Sequence, residues 1–150
     1  MRAPANSPDV KIRLARPEDA AAIALLSGQL GYPATPTQIQ DRFALLERDA
    51  RVAIFVAELA GAVVGWVQLL DQQILETGSR VEVAALVVDE TVRRSGIGRR
   101  LMERAEEWTR ERGYNTVQLR SNVTRAAAHT FYERLGYKHI KTSKTFRKLI

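Results

Sequence analysis

Apolar residues recur along this chain with two periods, and the switches between them mark out its elements. Val10-Lys11-Ile12-Arg13-Leu14 alternates, as a strand with one inward face does. From Pro17 the period lengthens: Ala20, Ile23, Ala24, Leu26 and Leu30 share one helical face, with Pro17 suited to the first turn and Glu18 and Asp19 near the positive end of the helix dipole. Gly31 stops that helix, and Pro33 and Pro36 break the chain before a second one over about Thr37 to Arg48, with Ile39, Phe43 and Leu46 on one side. Val52 to Leu59 and Ala62 to Leu70 read as two strands around Ala60-Gly61, a hairpin turn. Gln72 to Arg80 reads as a polar connection and Val81 to Val88 as the central strand. Ile97, Leu101, Ala105 and Trp108, at spacings of four, four and three, predict an amphipathic helix stopped by Gly113. Thr116 to Ser121 alternates again. Arg125 to Leu135 carries Ala128, Phe131, Tyr132 and Leu135 as a helical stripe closed by Gly136, and Tyr137 to Thr142 and Lys144 to Leu149 read as final strands.

That order predicts an α/β (α+β) layer architecture, a mixed sheet flanked by helices. Only two crossovers can join parallel strands directly, so most of the sheet is expected to be antiparallel. No repeat or second domain boundary shows. Residues 1–150 therefore read as one domain, with 1–9 loose at the start.

The stretch from Leu86 to Arg100 carries chemistry as well as pattern. A β-branched strand (Val81, Val83, Val87, Val88) ends in the acidic turn Asp89-Glu90-Thr91, and Arg93-x-x-Gly96-x-Gly98 then opens the amphipathic helix. The first N–H groups of a helix have no intrahelical partner, and the helix dipole adds positive potential there, so such a turn can hold phosphate. Gly96 and Gly98 carry no Cβ, which lets an oxygen approach the backbone, and Arg93, Arg94, Arg99 and Arg100 are expected to set four cations around the same place. A P-loop string is absent. A dinucleotide fingerprint needs a third glycine where Leu101 stands.

Composition narrows the classes. The chain has no cysteine, which removes disulfides, thiolate metal sites and a cysteine nucleophile together. Two histidines without ligand spacing give no reason to expect a metal. The net charge of +6 suits a polyanionic ligand, while the lack of a long basic run and an aromatic content of only 7% argue against a dedicated nucleic-acid binder. Met1 to Pro8 lacks the apolar core of a signal peptide. The longest apolar run, Ala20 to Leu26, is seven residues, so no membrane association is expected and a cytoplasmic location is the default.

From Val88 to Met102 the chain resembles the coenzyme A pyrophosphate loop of the GNAT superfamily of N-acetyltransferases. Ser121-Asn122, Ala128 and Phe131-Tyr132-Glu133-Arg134-Leu135-Gly136-Tyr137 resemble that family's next motif. The order of elements is similar from Val10 to Leu149. Glu90 stands where the family often has proline, and Arg94 where it often has glycine.

The resemblance implies acetyl transfer from acetyl-CoA to an amine, with no metal and no covalent enzyme intermediate. It implies that Leu86, Val87 and Val88 meet the pantetheine arm through their backbone, and that Arg93, Arg94, Ser95, Gly96, Ile97, Gly98 and Arg99 surround the pyrophosphate. Asn122 matches a position that touches the cofactor, or it caps the next helix in competition with Thr124. Glu82, eleven residues before Arg93, matches a general base found in some members. By strand alternation it shares a face with Ala84, Leu86 and Val88, and a carboxylate among apolar neighbours is a stronger base than one in water. The alternative is a strand-end glutamate paired with Arg80 or Arg120. Tyr132 matches the acid that protonates the leaving thiolate, or it is a core tyrosine. His129 reads as a helix-surface residue, and His139 has no partner that the sequence names.

The acceptor is expected to be a small-molecule primary amine, a protein lysine or N-terminus being the alternative. A non-catalytic acyl-CoA-binding module is the alternative of another class. Leu30 to Arg48 and Gln72 to Arg80 are the expected acceptor segments, with Asp41, Glu47, Asp71 and Glu76 available to a cationic substrate. Oligomeric state is open, a homodimer included.

Overall fold

The computed structural model describes residues 9–150, so Met1 to Pro8, the greater part of the stretch expected to be loose, lies outside the described residues. The chain divides into two compact units, Met1–Leu119 and Arg120–Ile150.

The first unit is a sheet of five strands in the order β1 (Val10–Leu14), β2 (Val52–Leu59), β3 (Ala62–Ile74), β4 (Gly78–Val88) and β5 (Val117–Leu119). The first three pairings are antiparallel and the last is parallel, as the order of elements requires. After β1 a 3-10 turn at Pro17–Asp19 leads into α1 (Ala20–Leu30), which ends at Gly31. There the Asp19 carboxylate bridges both ends of the Arg13 guanidinium at 2.8 and 2.9 Å and accepts from the Arg16 N–H. Burial pushes that carboxyl up, but those bonds and the Arg13 charge hold it below the usual carboxylate range. α2 (Pro36–Leu46) starts with a capping box: Thr35 accepts from the Gln38 N–H, and the Gln38 side chain accepts from the Thr35 N–H.

The helices divide between the two faces of the sheet. Ile23 and Leu26 of α1 pack with Val56, Trp66 and Val87, and Ala85, Leu30 and Ile39 close this layer. On the other face lies α3 (Ile97–Glu111), which buries Ile97, Leu101, Met102, Ala105 and Trp108, the stripe its spacing predicts plus one methionine. A Cβ on Gly65 of β3 would stand 3.0 Å from the Val87 carbonyl oxygen and 3.2 Å from Leu101 Cδ1, so glycine is needed for α3 to sit this close. The Arg104 guanidinium lies over the Phe55 ring at 4.4 Å from its centroid.

Two expectations fail in instructive ways. Gln72 to Arg80 is not a connection but the far end of a long hairpin, with Gln72 opposite Arg80 and Gln73 opposite Ser79. Ladder hydrogen bonds belong to the backbone, so a polar run can be strand when its side chains satisfy one another across the pair. In the second unit Tyr137 to Thr142 and Lys144 to Leu149 form no strand. The unit holds only α4 (Ala126–Arg134), and those segments have no strand there to pair with. The strand expected over Thr116 to Ser121 shortens to β5.

Candidate active site

The site is built on β4 and the turn that follows it. The register between β3 and β4 slips by one: Leu69 faces Val83 while Gln68 faces Ala85, so Ala84 is an extra residue. Such a bulge bends its strand and shifts the alternation beyond it. Glu82 therefore does not share a face with Leu86 and Val88. Its partner Leu70 belongs to the same β3 face as Gln68 and Trp66, which oppose Ala85 and Val87, the layer of α1. Leu86 and Val88 turn toward the layer of α3.

The bulge also marks where pairing ends. β5 covers only Val81 to Val83, and from Ala84 to Val88 the second edge of β4 has no strand partner among the described residues. An unpaired edge offers N–H and C=O groups to any extended amide chain laid along it. Leu86, Val87 and Val88 sit on this edge.

The edge runs directly into the glycine turn. The Asp89 N–H donates to the Val64 carbonyl at 2.8 Å, and its carboxylate accepts from the N–H and hydroxyl of Thr91, both at 3.0 Å. The Thr91 N–H bond is the main cause that holds the Asp89 carboxyl below its ordinary value. Gln29, in the last turn of α1, accepts from the Glu90 N–H at 2.9 Å and so ties α1 to the turn, a contact the sequence does not announce. Arg93 Nε donates to the Val88 carbonyl at 3.3 Å, and the Ser95 hydroxyl to Val92 O.

Gly96 is the N-cap of α3 with φ +85°, a left-handed value that glycine adopts without cost. No side chain caps this helix and its first turn contains no acid, in contrast to the boxed start of α2. The N–H groups of its first turn are thus available to an anion. Arg93, Arg94, Ser95, Gly96 and Arg99 are exposed around it. Ile97 is 1% exposed, so its side chain belongs to the core and only its backbone can serve a ligand. Arg100 departs from the expected cluster, because its guanidinium donates to the Val10 carbonyl at 3.0 Å. Arg94 has φ +68°, where a Cβ costs about 1 kcal/mol. The place where a glycine was expected is therefore a place that favours one.

Glu82 is half-buried, and its Oε2 accepts from Gln72 Nε2 at 2.8 Å. Arg80 reaches it through this amide, since Arg80 Nε donates to Gln72 Oε1 at 3.0 Å. Asp71, by contrast, serves the structure. Arg112 Nε donates to its Oδ2 at 2.7 Å and the Tyr114 hydroxyl at 3.2 Å, while Gln73 donates to its Oδ1 at 2.8 Å. Burial raises that carboxyl, and these donors, Arg112 first, bring it below its usual range. It is committed to them, not to a cationic substrate.

In the second unit the Asn122 carboxamide oxygen accepts from the Thr124 N–H at 3.0 Å and its hydroxyl at 2.9 Å. Neither residue caps α4, whose N-cap is Arg125 without a side-chain bond. Ala128, Phe131, Tyr132 and Leu135 are half-buried along α4 while most of its other residues are exposed. The Tyr132 ring meets Phe131 and Tyr137 edge-on, with centroids 5.1 and 6.2 Å away. Burial pushes the Tyr132 phenol up, opposed by the Arg125 charge. His129 Nε2 lies 2.8 Å from the Asn122 carbonyl oxygen, and His139 Nε2 lies 3.0 Å from the Thr142 hydroxyl, a partner the sequence did not name. Among the described residues no three His, Asp or Glu side chains converge as metal ligands, and no helix is long and apolar enough to cross a membrane.

A mostly antiparallel sheet whose fourth strand feeds an uncapped, arginine-flanked helix is the arrangement that the resemblance in the sequence implies. The chain belongs to the acetyltransferase (GNAT) family, whose model matches residues 19–137. It is 34% identical to an aminoalkylphosphonate N-acetyltransferase of Salmonella typhimurium over 91% of this chain and 92% of that one. It is 33% identical to an IAA acetyltransferase of Azospirillum brasilense over 87% and 85%. An aminoglycoside N-acetyltransferase solved in complex with CoA shares the fold, with a TM-score of 0.85 at 15% identity over 94% of this chain and 95% of that one. A transcriptional regulator from Bacillus halodurans does so with a TM-score of 0.81 at 27% identity over 91% and 99%. The protein is an acyltransferase enzyme, and its family uses acetyl-CoA.

Proposed function

We propose that this enzyme transfers the acetyl group of acetyl-CoA to the primary amine of a small molecule by direct attack. The observation that carries the reading is the unpaired edge of β4 from Ala84 to Val88, continuous with an uncapped helix start at Gly96. An amide-bearing arm fits the first and a pyrophosphate the second. Leu86 and Val88 offer backbone groups to the arm. The N–H groups of Gly96, Ile97, Gly98 and Arg99, with the charges of Arg93 and Arg99, receive the phosphates, and Arg94 and Ser95 shape the turn. Asn122 is assigned to the cofactor by the family motif alone.

Bound acetyl-CoA supplies an activated thioester. Glu82 takes a proton from the acceptor ammonium, so that a neutral nitrogen forms the new N–C bond as the C–S bond breaks. Tyr132 gives its phenolic proton to the sulfur, and the second proton that the nitrogen sheds on becoming an amide restores the phenol. A phenol pushed up by burial is protonated at neutral pH, the state a donor requires. Tyr132→Phe is expected to lower kcat by about 10²-fold with little change in melting temperature. If stability drops while turnover persists, the tyrosine is a packing residue instead.

Relatives named for aminoalkylphosphonate and IAA support a small acceptor. Thiol release from acetyl-CoA against aminophosphonates, aminoglycosides, polyamines, amino acids and lysine-bearing peptides tests it. The best small amine is expected to exceed every peptide in kcat/KM. Peptides that exceed all small amines by about tenfold, roughly 1.4 kcal/mol in transition-state binding, would overturn the acceptor assignment and leave the donor site standing.

A further inference from the structure

Glu82 is held by a side chain with no place in the reaction just described. Gln72 lies on β3 opposite Arg80, and Glu82 follows two residues along β4, so the three side chains share one sheet face. Arg80 Nε donates to Gln72 Oε1 at 3.0 Å, and Gln72 Nε2 donates to Glu82 Oε2 at 2.8 Å. The direction of this chain is fixed by chemistry. An arginine Nε can only donate, so the amide must face it with oxygen, and the NH2 is thereby turned to the carboxylate. The reversed amide would set N–H against N–H at one end and oxygen against oxygen at the other.

We infer that Gln72 is a positioning residue for the base, and that Arg80 sets the direction of its amide. With Oε2 held by an NH2 of fixed orientation, the plane of the Glu82 carboxylate is fixed, and so is the direction of Oε1. The support is rigid: Glu82 is paired on one side with Leu70 of β3 and on the other with Gln118 of β5.

This inference rests on Glu82 being the base, and the experiment separates the two. Gln72→Leu and Glu82→Gln are made singly and together, with kcat, KM, acetyl-CoA affinity by calorimetry and melting temperature measured for each. Gln72→Leu is expected to lower kcat about tenfold, with acetyl-CoA affinity and melting temperature unchanged. In the Glu82→Gln background the same change is expected to alter kcat by less than about twofold, because a residue that acts through another has nothing left to act on. Equal losses in both backgrounds would overturn the positioning role and leave Glu82 its own. If Glu82→Gln alone costs nothing, the base assignment falls and this inference falls with it. Should Gln72→Leu fold poorly, Arg80→Met keeps the amide but releases its orientation. About a threefold loss of kcat that vanishes in Glu82→Gln supports the inference, and no loss or an equal one overturns it.

Discussion

Glu82→Gln is expected to lower kcat/KM by about 10²–10⁴ at neutral pH while leaving acetyl-CoA affinity nearly intact. The substitution is clean for structural reasons. Glu82 is half-buried on a strand paired on both sides, and a glutamine can still accept the Gln72 hydrogen bond through its amide oxygen. Size, packing and orientation are kept, and the ability to take a proton is lost. The phosphate turn lies beyond the Ala84 bulge on a different segment of backbone, so binding of the donor has no reason to change. Steady-state thiol release paired with calorimetry measures both quantities. A fall under about threefold would mean that the acceptor ammonium loses its proton to water or to another group.

The second large effect is expected in binding. Gly98→Val should weaken coenzyme A by about 30-fold or more, equivalent to losing one or two hydrogen bonds from backbone N–H to a charged oxygen at about 1.5–3 kcal/mol each. Gly98 is the better probe of the two loop glycines. Gly96 has φ +85°, so a side chain there strains the backbone whether or not a ligand is present. Gly98 is in helical backbone, where valine has a helix propensity no worse than glycine's. A folded Gly98→Val protein with unchanged affinity would remove the phosphate assignment.

The glycine turn and the helix it opens were legible because their signals are local. A glycine turn, a helix start and a stripe at Ile97, Leu101, Ala105 and Trp108 each depend on neighbours in sequence. The surroundings of Glu82 were not. Strand alternation put Glu82 with Leu86 and Val88, and the one-residue slip at Ala84 undid it, since a bulge is a property of two strands and only one was being read. Gln72 was missed for a related reason. Polar residues on both sides of Leu75-Glu76-Thr77 resemble a loop until Gln72 is seen opposite Arg80, and the cue available was their equal distance from the turn. The final segments show the converse error. Alternation from Tyr137 to Leu149 describes a side-chain pattern, but a strand also needs a partner's backbone.

The same bulge has a consequence for how the protein behaves without ligand. Beyond Ala84 the second edge of a largely apolar strand carries N–H and C=O groups with no strand beside them among the described residues. Such a row is a template for any foreign segment, and natural proteins usually blunt it with charge, proline or a covering element. Here the residues in question are Ala84, Ala85, Leu86, Val87 and Val88, none of them charged or proline. A bound pantetheine arm would then act as a guard as well as a substrate, occupying the groups that another chain would take. With the arm on that edge, as proposed, colloidal stability and donor occupancy are linked, and free coenzyme A is expected to slow aggregation.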